Sequence, residues 1–522
     1  WTMRTSLKAI DGLDYDVAVV GAGINGAVSA AALSAAGLKV LIIDKGDFAS
    51  FTSQQSSNMV WGGIKYLQSL EFALVFKLCL SRAKLMRNYP SRIKPIGFLA
   101  AIGDEAPANL LAIWAGAWLY WGIGLFSTRT PKVRDVARSV KYEPGLKDRA
   151  IGGTVQYFDG LLLDNDARFV WDFVAQAKSF GAEALNYTSL TAATRGVANW
   201  ELQLRDERDG TSVSVYAKAV VNAAGPYASG LNDLLAADAG AHLVLSKGIH
   251  LVVPKLTTDD RVLAFWDEEG RLFYVLPMHD RSVIGTTDTR VNQPETQVTD
   301  EDRDFVIRQI NKSMNLAKPL TRSDIIAERS GVRPLVAANA RQKKNSDEVD
   351  WHKMSRKHVI AADADKKVVS IFGGKLTDCL NVGQEIIDEL SDFGFNLNPK
   401  KWFGEPVVNK KAKAQVLQAL VAQVRLKAGD APWSEQVANG LYRRHSLQAA
   451  AIVGESAAKD LAPIFDGLDY CAAELRYIAE SEMVVTQQDL LRRRTPLALI
   501  RSASEIAGNA RLQEVLVGLP AR

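Results

Sequence analysis

The sequence predicts an α/β fold: a parallel, helix-covered sheet, then a mostly antiparallel sheet, then an all-helical unit. Three observations predict it. "DYDVAVVGAGINGAVSAAALSAAGLKVLIIDKGDF" (14–48) reads as strand, glycine turn, helix and second parallel strand. From Ser246 to about Val336, apolar runs alternate with short polar turns ("GIHLVVP", "RVLAFWD", "RLFYVLPM", "RSVIGTTD", "SGVRPLV"), the pattern of antiparallel strands. After Pro399, alanine, leucine and basic residues rise, and Val416, Leu417, Leu420, Val421 and Val424 recur at helical spacing.

The elements follow in order. Val17–Val20 is a buried strand. Gly26–Ala36 is a helix of small residues that can pack close to a sheet. Lys39–Ile43 is a strand ending at Asp44. Glu71–Asn88 and Ala167–Phe180 are helical, and "WELQLRD" (200–206) and "SVSVYAKAVVNAAG" (212–225) are strands. "KHVIAADADKKVVSIFGGKLTDCLNVGQEIIDEL" (357–390) gives strand, turn, strand, glycine pair and helix. A chain of 522 residues is longer than one core supports, and a boundary is placed near residue 400.

Composition narrows the function classes. Hydrophobic residues at 47% and charged residues at 23% describe a folded globular chain. A net charge of +4 over this length suits an anionic ligand or surface and gives no reason to expect nucleic acid. Cys79, Cys379 and Cys471 are odd in number and widely spaced, which reads as reduced thiols in the cytoplasm. His352 and His358 are six apart, off the spacing that puts two ligands on one helix face, and no metal is expected. No secretory signal is read, because the first apolar run is short and follows Asp14 and Asp16. "LLAIWAGAWLYWGIGLF" (Leu110 to Phe126) carries no charge over 17 residues. As a helix it would reach roughly 25 Å, short of a bilayer core of about 30 Å. It reads equally as a buried helix or as a segment dipping into one leaflet.

Gly21, Gly23 and Gly26 form G-x-G-x-x-G between strand and helix, and Asp44 follows about 20 residues on. The glycines permit a tight turn, close approach to a pyrophosphate and close helix packing; the aspartate suits ribose hydroxyls. No second fingerprint offers a separate NAD domain. "VVNAAGPYA" (220–228) and "SIFGGKLTDCLNVGQEI" (370–386) read as further walls of one long dinucleotide, and together these segments favour FAD.

The sequence resembles the FAD-dependent glycerol-3-phosphate dehydrogenases and oxidases over nearly its whole length. The markers are "GAGINGA" (21–27), "DFASFTS" (47–53), "SSNMVWGGIKYL" (56–67), "NAAGPYA" (222–228), "KGIHLVVP" (247–254), "IGTTDT" (284–289), "SGVRPL" (330–335), "SRKHVI" (355–360), "GGKLT" (373–377) and "LLRRRTPLAL" (490–499). The resemblance implies a glutathione-reductase-type, Rossmann-like FAD-binding domain, an antiparallel β substrate domain and an all-helical C-terminal domain. Residues 14–400 would form the oxidoreductase region. Its FAD-binding segments would be about 14–95, 145–245 and 358–395, its substrate domain mainly 246–357, and the helical domain 401–522. The implied reaction takes sn-glycerol 3-phosphate to dihydroxyacetone phosphate, with hydride from C2 to flavin N5. Electrons would leave to a membrane quinone, or to oxygen in the oxidase branch. His250 and Arg333 are the implied catalytic residues, with His250 as base. Lys65, Arg333, Arg356 and Lys375 would hold the substrate. The implied cofactor-binding residues are Gly21, Gly23, Asn25, Gly26, Asp44, Lys45, Thr52, Ser53, Ser57, Gly62, Gly63, Gly225, Gly374, Lys375, Leu376 and Thr377.

The chain departs from the family pattern within 51–65. Trp61 stands where relatives have histidine, Asn58 where they have lysine, Lys65 where they have arginine, and Phe51 replaces a glycine. A lysine replaces a bidentate fork with a point charge. Two other readings therefore stay open: the same fold acting on another anionic alcohol or amine, and a flavin-binding sensor or scaffold without turnover. The presence of His250, Arg333 and Lys375 argues against the last. A cytoplasmic protein peripheral to the cytoplasmic membrane is expected, with Leu110–Phe126 as the contact. The oligomeric state stays open, a homodimer being one option.

Overall fold

The computed structural model describes residues 4–146, 152–238, 241–337, 357–406 and 410–521. Its first sheet runs in the order Val359–Asp363, Val368–Phe372, Ser212–Asn222, Asp14–Val20, Val40–Ile43, Glu183–Leu185. The pairs from Val368–Phe372 across to Glu183–Leu185 are parallel. "VAVV" and "VLII" are apolar on both sides because the inner strands of such a sheet are covered on both faces. The helix Ile24–Ala35 lies between Asp166–Ser179 and Cys379–Asp392, and its alanines allow the close packing.

The second sheet has ten strands. Its main path is Thr289–Val291, His242–Pro254, Arg281–Gly285, Leu272–Met278, Val262–Trp266, Ile93–Ala101, Thr154–Leu162, Met59–Val60. Ala327–Ala337 pairs along the long strand His242–Pro254, and Lys132–Arg134 pairs with Thr154–Leu162. All pairs are antiparallel except Val262–Trp266 with Ile93–Ala101. Ile93–Ala101 and Thr154–Leu162 pair over nine residues, so sequence on either side of the apolar helix enters this sheet and not the first. The stretch read as mostly strands also holds the helix Asp300–Ser313, opened by a Thr299–Asp302 capping box.

The apolar segment forms the helix Leu110–Ile123. Only Ala117 and Tyr120 of it are buried; Leu111 is 69% exposed and Leu119 48%, with Phe126 beyond it at 63%. The buried-helix reading is thereby corrected: this is a surface helix that is apolar all round. Among the described residues no helix is long and apolar enough to cross a membrane. From Lys410 onward the described elements are helical, and Leu420 and Val424 pack against Val437, Leu441 and Val453. The three cysteines are buried and unpaired.

Candidate active site

Two cavities adjoin where the sheets meet. They share Ile24, Thr52, Ser53, Pro334 and Gly374, so together they make one elongated groove. The first, about 110 Å³, covers the carboxyl ends of the central parallel strands and is lined by Gly21, Gly23, Asn25, Asp44 and Gly225. That is where an open parallel sheet places a ligand. A side chain on Gly21 would bring Cβ to 2.5 Å from the Ala223 carbonyl oxygen, and one on Gly26 to 1.7 Å from that of Gly21. The Asp44 carboxylate accepts from the Ala22 amide at 2.7 Å and the Gly46 amide at 2.9 Å; burial raises it to about 6. Asn25 Nδ2 donates to the Gly373 carbonyl at 3.0 Å and so joins the two glycine motifs. Its Oδ1 is buried with no hydrogen-bond partner among the described residues. A close-approach glycine turn, an acid at the next strand end and an orphaned amide oxygen fit a dinucleotide.

The second cavity, about 330 Å³, brings Ser57, Lys65, His250, Arg333, Lys375, Leu376 and Thr377 together. Tyr274, Gly285, His250 and Arg329 form one row across four antiparallel strands, so they share a face. Gly285 leaves room for the imidazole, since a Cβ there would lie 3.1 Å from His250 Cδ2. Burial, then the charges of Arg329 and Arg333, hold His250 well below the usual histidine range. Arg333 donates to Thr286 Oγ1 at 3.0 Å and lies 3.2 Å from Asp288 Oδ1. Its guanidinium covers Gly248, where a Cβ would come within 2.1 Å of it. Lys375 Nζ donates to the Tyr66 hydroxyl and lies 4.0 Å from the Tyr66 ring centre and 5.6 Å from that of Trp61. The Trp61 amide donates to Thr377 Oγ1 at 3.0 Å, tying the floor to the glycine-pair loop.

Four expected residues do not line the groove. Gly26 packs behind it. Exposed Lys45 lies 3.5 Å from the Tyr227 ring centre and 4.9 Å from that of Phe51. Gly62 and Gly63 face inward: a Cβ on Gly62 would meet Tyr120 and Cys79, and one on Gly63 would meet Tyr66. The room they make serves a buried cluster in which Tyr120 and Arg82 both donate to Asp159. Arg356 and His352 fall outside the described residues.

Sequence reasoning missed three contributors. Tyr66 follows Lys65 in a motif already noted. Arg329 shares strand parity with Arg333, a signal that could have found it. The carboxyl-terminal arginines reach the floor from below: Arg493 and Arg494 bind Asp47 at 2.7–2.9 Å, and Arg492 donates to Gln55 Oε1 at 3.0 Å. Against the effect of burial, Arg494 and Arg493 hold the Asp47 carboxyl down to about 2.

Comparison with known proteins agrees with this geometry. The profile of the FAD dependent oxidoreductase family matches residues 16–359, and that of the C-terminal domain of alpha-glycerophosphate oxidase matches 408–515. Glycerol-3-phosphate dehydrogenase of Mycobacterium leprae is 30% identical over 510 residues, covering 93% of this chain and 81% of the relative. That of Pseudomonas tolaasii is 29% identical over 508 residues, covering 94% and 93%. The Bacillus halodurans glycerol-3-phosphate dehydrogenase complexed with FAD superposes with a TM-score of 0.74 at 24% identity, over 98% of this chain and 90% of that one. The chain belongs to the FAD-dependent glycerol-3-phosphate dehydrogenase/oxidase family and is an FAD-dependent oxidoreductase.

Proposed function

We propose that the protein oxidises sn-glycerol 3-phosphate to dihydroxyacetone phosphate and passes the electrons to a membrane quinone. The observation that carries this reading is one cavity holding a buried histidine and three cations, Arg333, Lys65 and Lys375. His250, held low by burial and neighbouring charge, is neutral at physiological pH, so its imidazole can take the proton of the C2 hydroxyl. Bound FAD supplies the hydride acceptor. Arg333, oriented by Thr286 and Asp288, offers a planar fork to phosphate oxygens, and Lys65 and Lys375 add point charges. The acidic substrate is supported by relatives named for glycerol 3-phosphate over nearly the full chain.

The quinone reading is supported by the surface. Phe72, Phe76 and Leu80 form an exposed stripe on the helix Phe72–Asn88, which packs against Leu110–Ile123 with its exposed Leu111, Trp118 and Leu119. Exposed apolar side chains on two helices that pack together suit a bilayer surface.

One anaerobic experiment tests the chemistry: sn-glycerol 3-phosphate is added to the yellow holoenzyme and the flavin absorbance is followed. Fast bleaching is expected. Trp61 in the cavity wall favours a second reading, another anionic alcohol or amine, and bleaching by such compounds alone would select it. No bleaching by any of them would leave a non-catalytic flavoprotein.

A further inference from the structure

Across the sheet from His250 lies a cation that does not itself line the substrate cavity. Arg329 is fully buried, one of the largest side chains in the protein with no exposure. Its Nη1 donates to the Ser56 carbonyl and, at 3.3 Å, to Asn58 Oδ1. Asn58 holds a left-handed backbone, φ 60°, so its side chain is aimed at this guanidinium by a kink that asparagine tolerates. The nearest carboxylate oxygen paired with Arg329 is Asp166 Oδ1, 3.8 Å from Nη2. Asp166 is already engaged, accepting from the Ser56 and Ala167 amides at 2.8 and 2.9 Å. Arg329 Nε and Nη2 have no hydrogen-bond partner among the described residues. A guanidinium stays charged in any protein setting, so a weakly compensated positive charge is fixed here.

That charge has a neighbour with chemistry. Arg329 is paired in register with His250, directly across the strands Ala327–Ala337 and His242–Pro254. Facing partners in this geometry carry side chains about 5 Å apart on one face of the sheet. Arg333, Tyr274, Asp288, Lys65 and Lys375 also line the cavity that His250 faces. Arg333 lies 3.2 Å from the Asp288 carboxylate, whereas Arg329 has Asp166 only at 3.8 Å.

We propose that Arg329 is a positioning residue of this site: it fastens the floor at Ser56 and Asn58 and acts on His250 as a fixed cation from behind. Two consequences follow from one side chain. The floor residues Ser56 and Ser57, which line the substrate cavity, are held against the sheet. Burial already disfavours a proton on the imidazole, and a second positive charge beside Arg329 disfavours it further. The inference rests on His250 as the base, but its test needs no substrate.

The His250 titration is followed by NMR in holoenzyme carrying carbon-13-labelled histidine, with His250→Asn to assign the signal. Arg329→Met should raise the proton affinity of His250 at least about tenfold, one pH unit. Arg329→Lys should stay near the wild type. Arg329→Met with Asn58→Lys returns a cation to the same contact from its other side and should move the titration back. An unchanged titration in FAD-loaded Arg329→Met overturns the proposal, and so does a double variant that titrates like Arg329→Met. Where Arg329→Met alone fails to retain FAD, the double variant decides: FAD retained with a wild-type titration supports the proposal, and FAD lost overturns it. A protein that shows these shifts but does not bleach with glycerol 3-phosphate would refute the substrate reading alone.

Discussion

His358 sets a pH limit on the groove. It opens the strand Val359–Asp363 and touches Gly374, whose Cβ would lie 3.4 Å from its own. Its Nε2 is 2.8 Å from Glu385 Oε2 and its Nδ1 is 3.0 Å from Asp378 Oδ2. Lys77 reaches both carboxylates at 3.4 Å, so the cluster joins the helices Phe72–Asn88 and Cys379–Asp392 to the glycine-pair loop. Burial lowers the imidazole, but its close contacts with the Asp378 and Glu385 carboxylates outweigh it and raise His358 from 6.5 to about 9. At 1.36 kcal/mol per tenfold, this rise corresponds to ~3 kcal/mol. Glu385 is 42% exposed and solvent-screened, which brings the expected contribution to about 2 kcal/mol. The folded value is the higher one, so the stabilisation is fully present below pH 6.5 and is lost as pH rises through about 9. Urea unfolding of the wild type and of His358→Gln at pH 6.5 and pH ~9.5 measures it. The gap between the two proteins should be about 2 kcal/mol at the lower pH and should close at the higher. A gap of equal size at both values would show that His358 contributes packing alone.

Other perturbations have directions fixed by the geometry. Asp47→Asn leaves Arg493 and Arg494 buried without their shared carboxylate and should cost about 3–5 kcal/mol, read as a lower urea midpoint with loss of FAD. Gly21→Ala places Cβ against the Ala223 carbonyl at φ 99° and should abolish FAD retention, read from the 450 nm band of the purified chain, with only ~1–3 kcal/mol lost from folding. Phe76→Asp with Leu119→Asp should release the protein from anionic vesicles in a flotation assay while leaving anaerobic bleaching unchanged; vesicle binding equal to the wild type would refute the proposed contact.

The parallel unit was legible because its signals are local. "VAVV" and "VLII" are apolar whichever neighbour they acquire, and a G-x-G-x-x-G turn between them leaves few alternatives. Sheet membership was not legible for Ile93–Ala101 and Thr154–Leu162, since the pairing that assigns them spans the apolar helix and depends on partners far along the chain. The surface position of Leu110–Ile123 was hidden for another reason: a helix apolar on every side carries no stripe to say which side is covered. His250, Arg333 and Lys375 were read from motifs, and the structure brings them to one cavity. Arg329 was passed over although it lies on the Arg333 face, because a charge in a strand was read by motif and not by parity.

The carboxyl-terminal unit belongs to the site on physical grounds. "RRR" at 492–494 shows only a basic run, for which a solvated surface is the usual fate. In the structure a wide helical turn at Asp489–Arg494 spreads the three side chains apart: Arg493 and Arg494 are buried and Arg492 is half-buried. Drawing guanidinium groups out of water together is unfavourable unless carboxylates meet them. Asp47 meets two, and Asp489 adds a second contact to Arg493. The third, Arg492, is left with Gln55, a groove residue, and with the field of Asp166, while burial and Arg329 push it down. The same Asp166 faces Arg329. One carboxylate therefore answers to two arginines, one from the substrate sheet and one from the helical unit, and the surplus positive charge lies directly under Gln55 and Ser56. Arg493 and Arg494 anchor the helical unit at Asp47, and Arg492 carries its contact on to Gln55 in the lining of the groove.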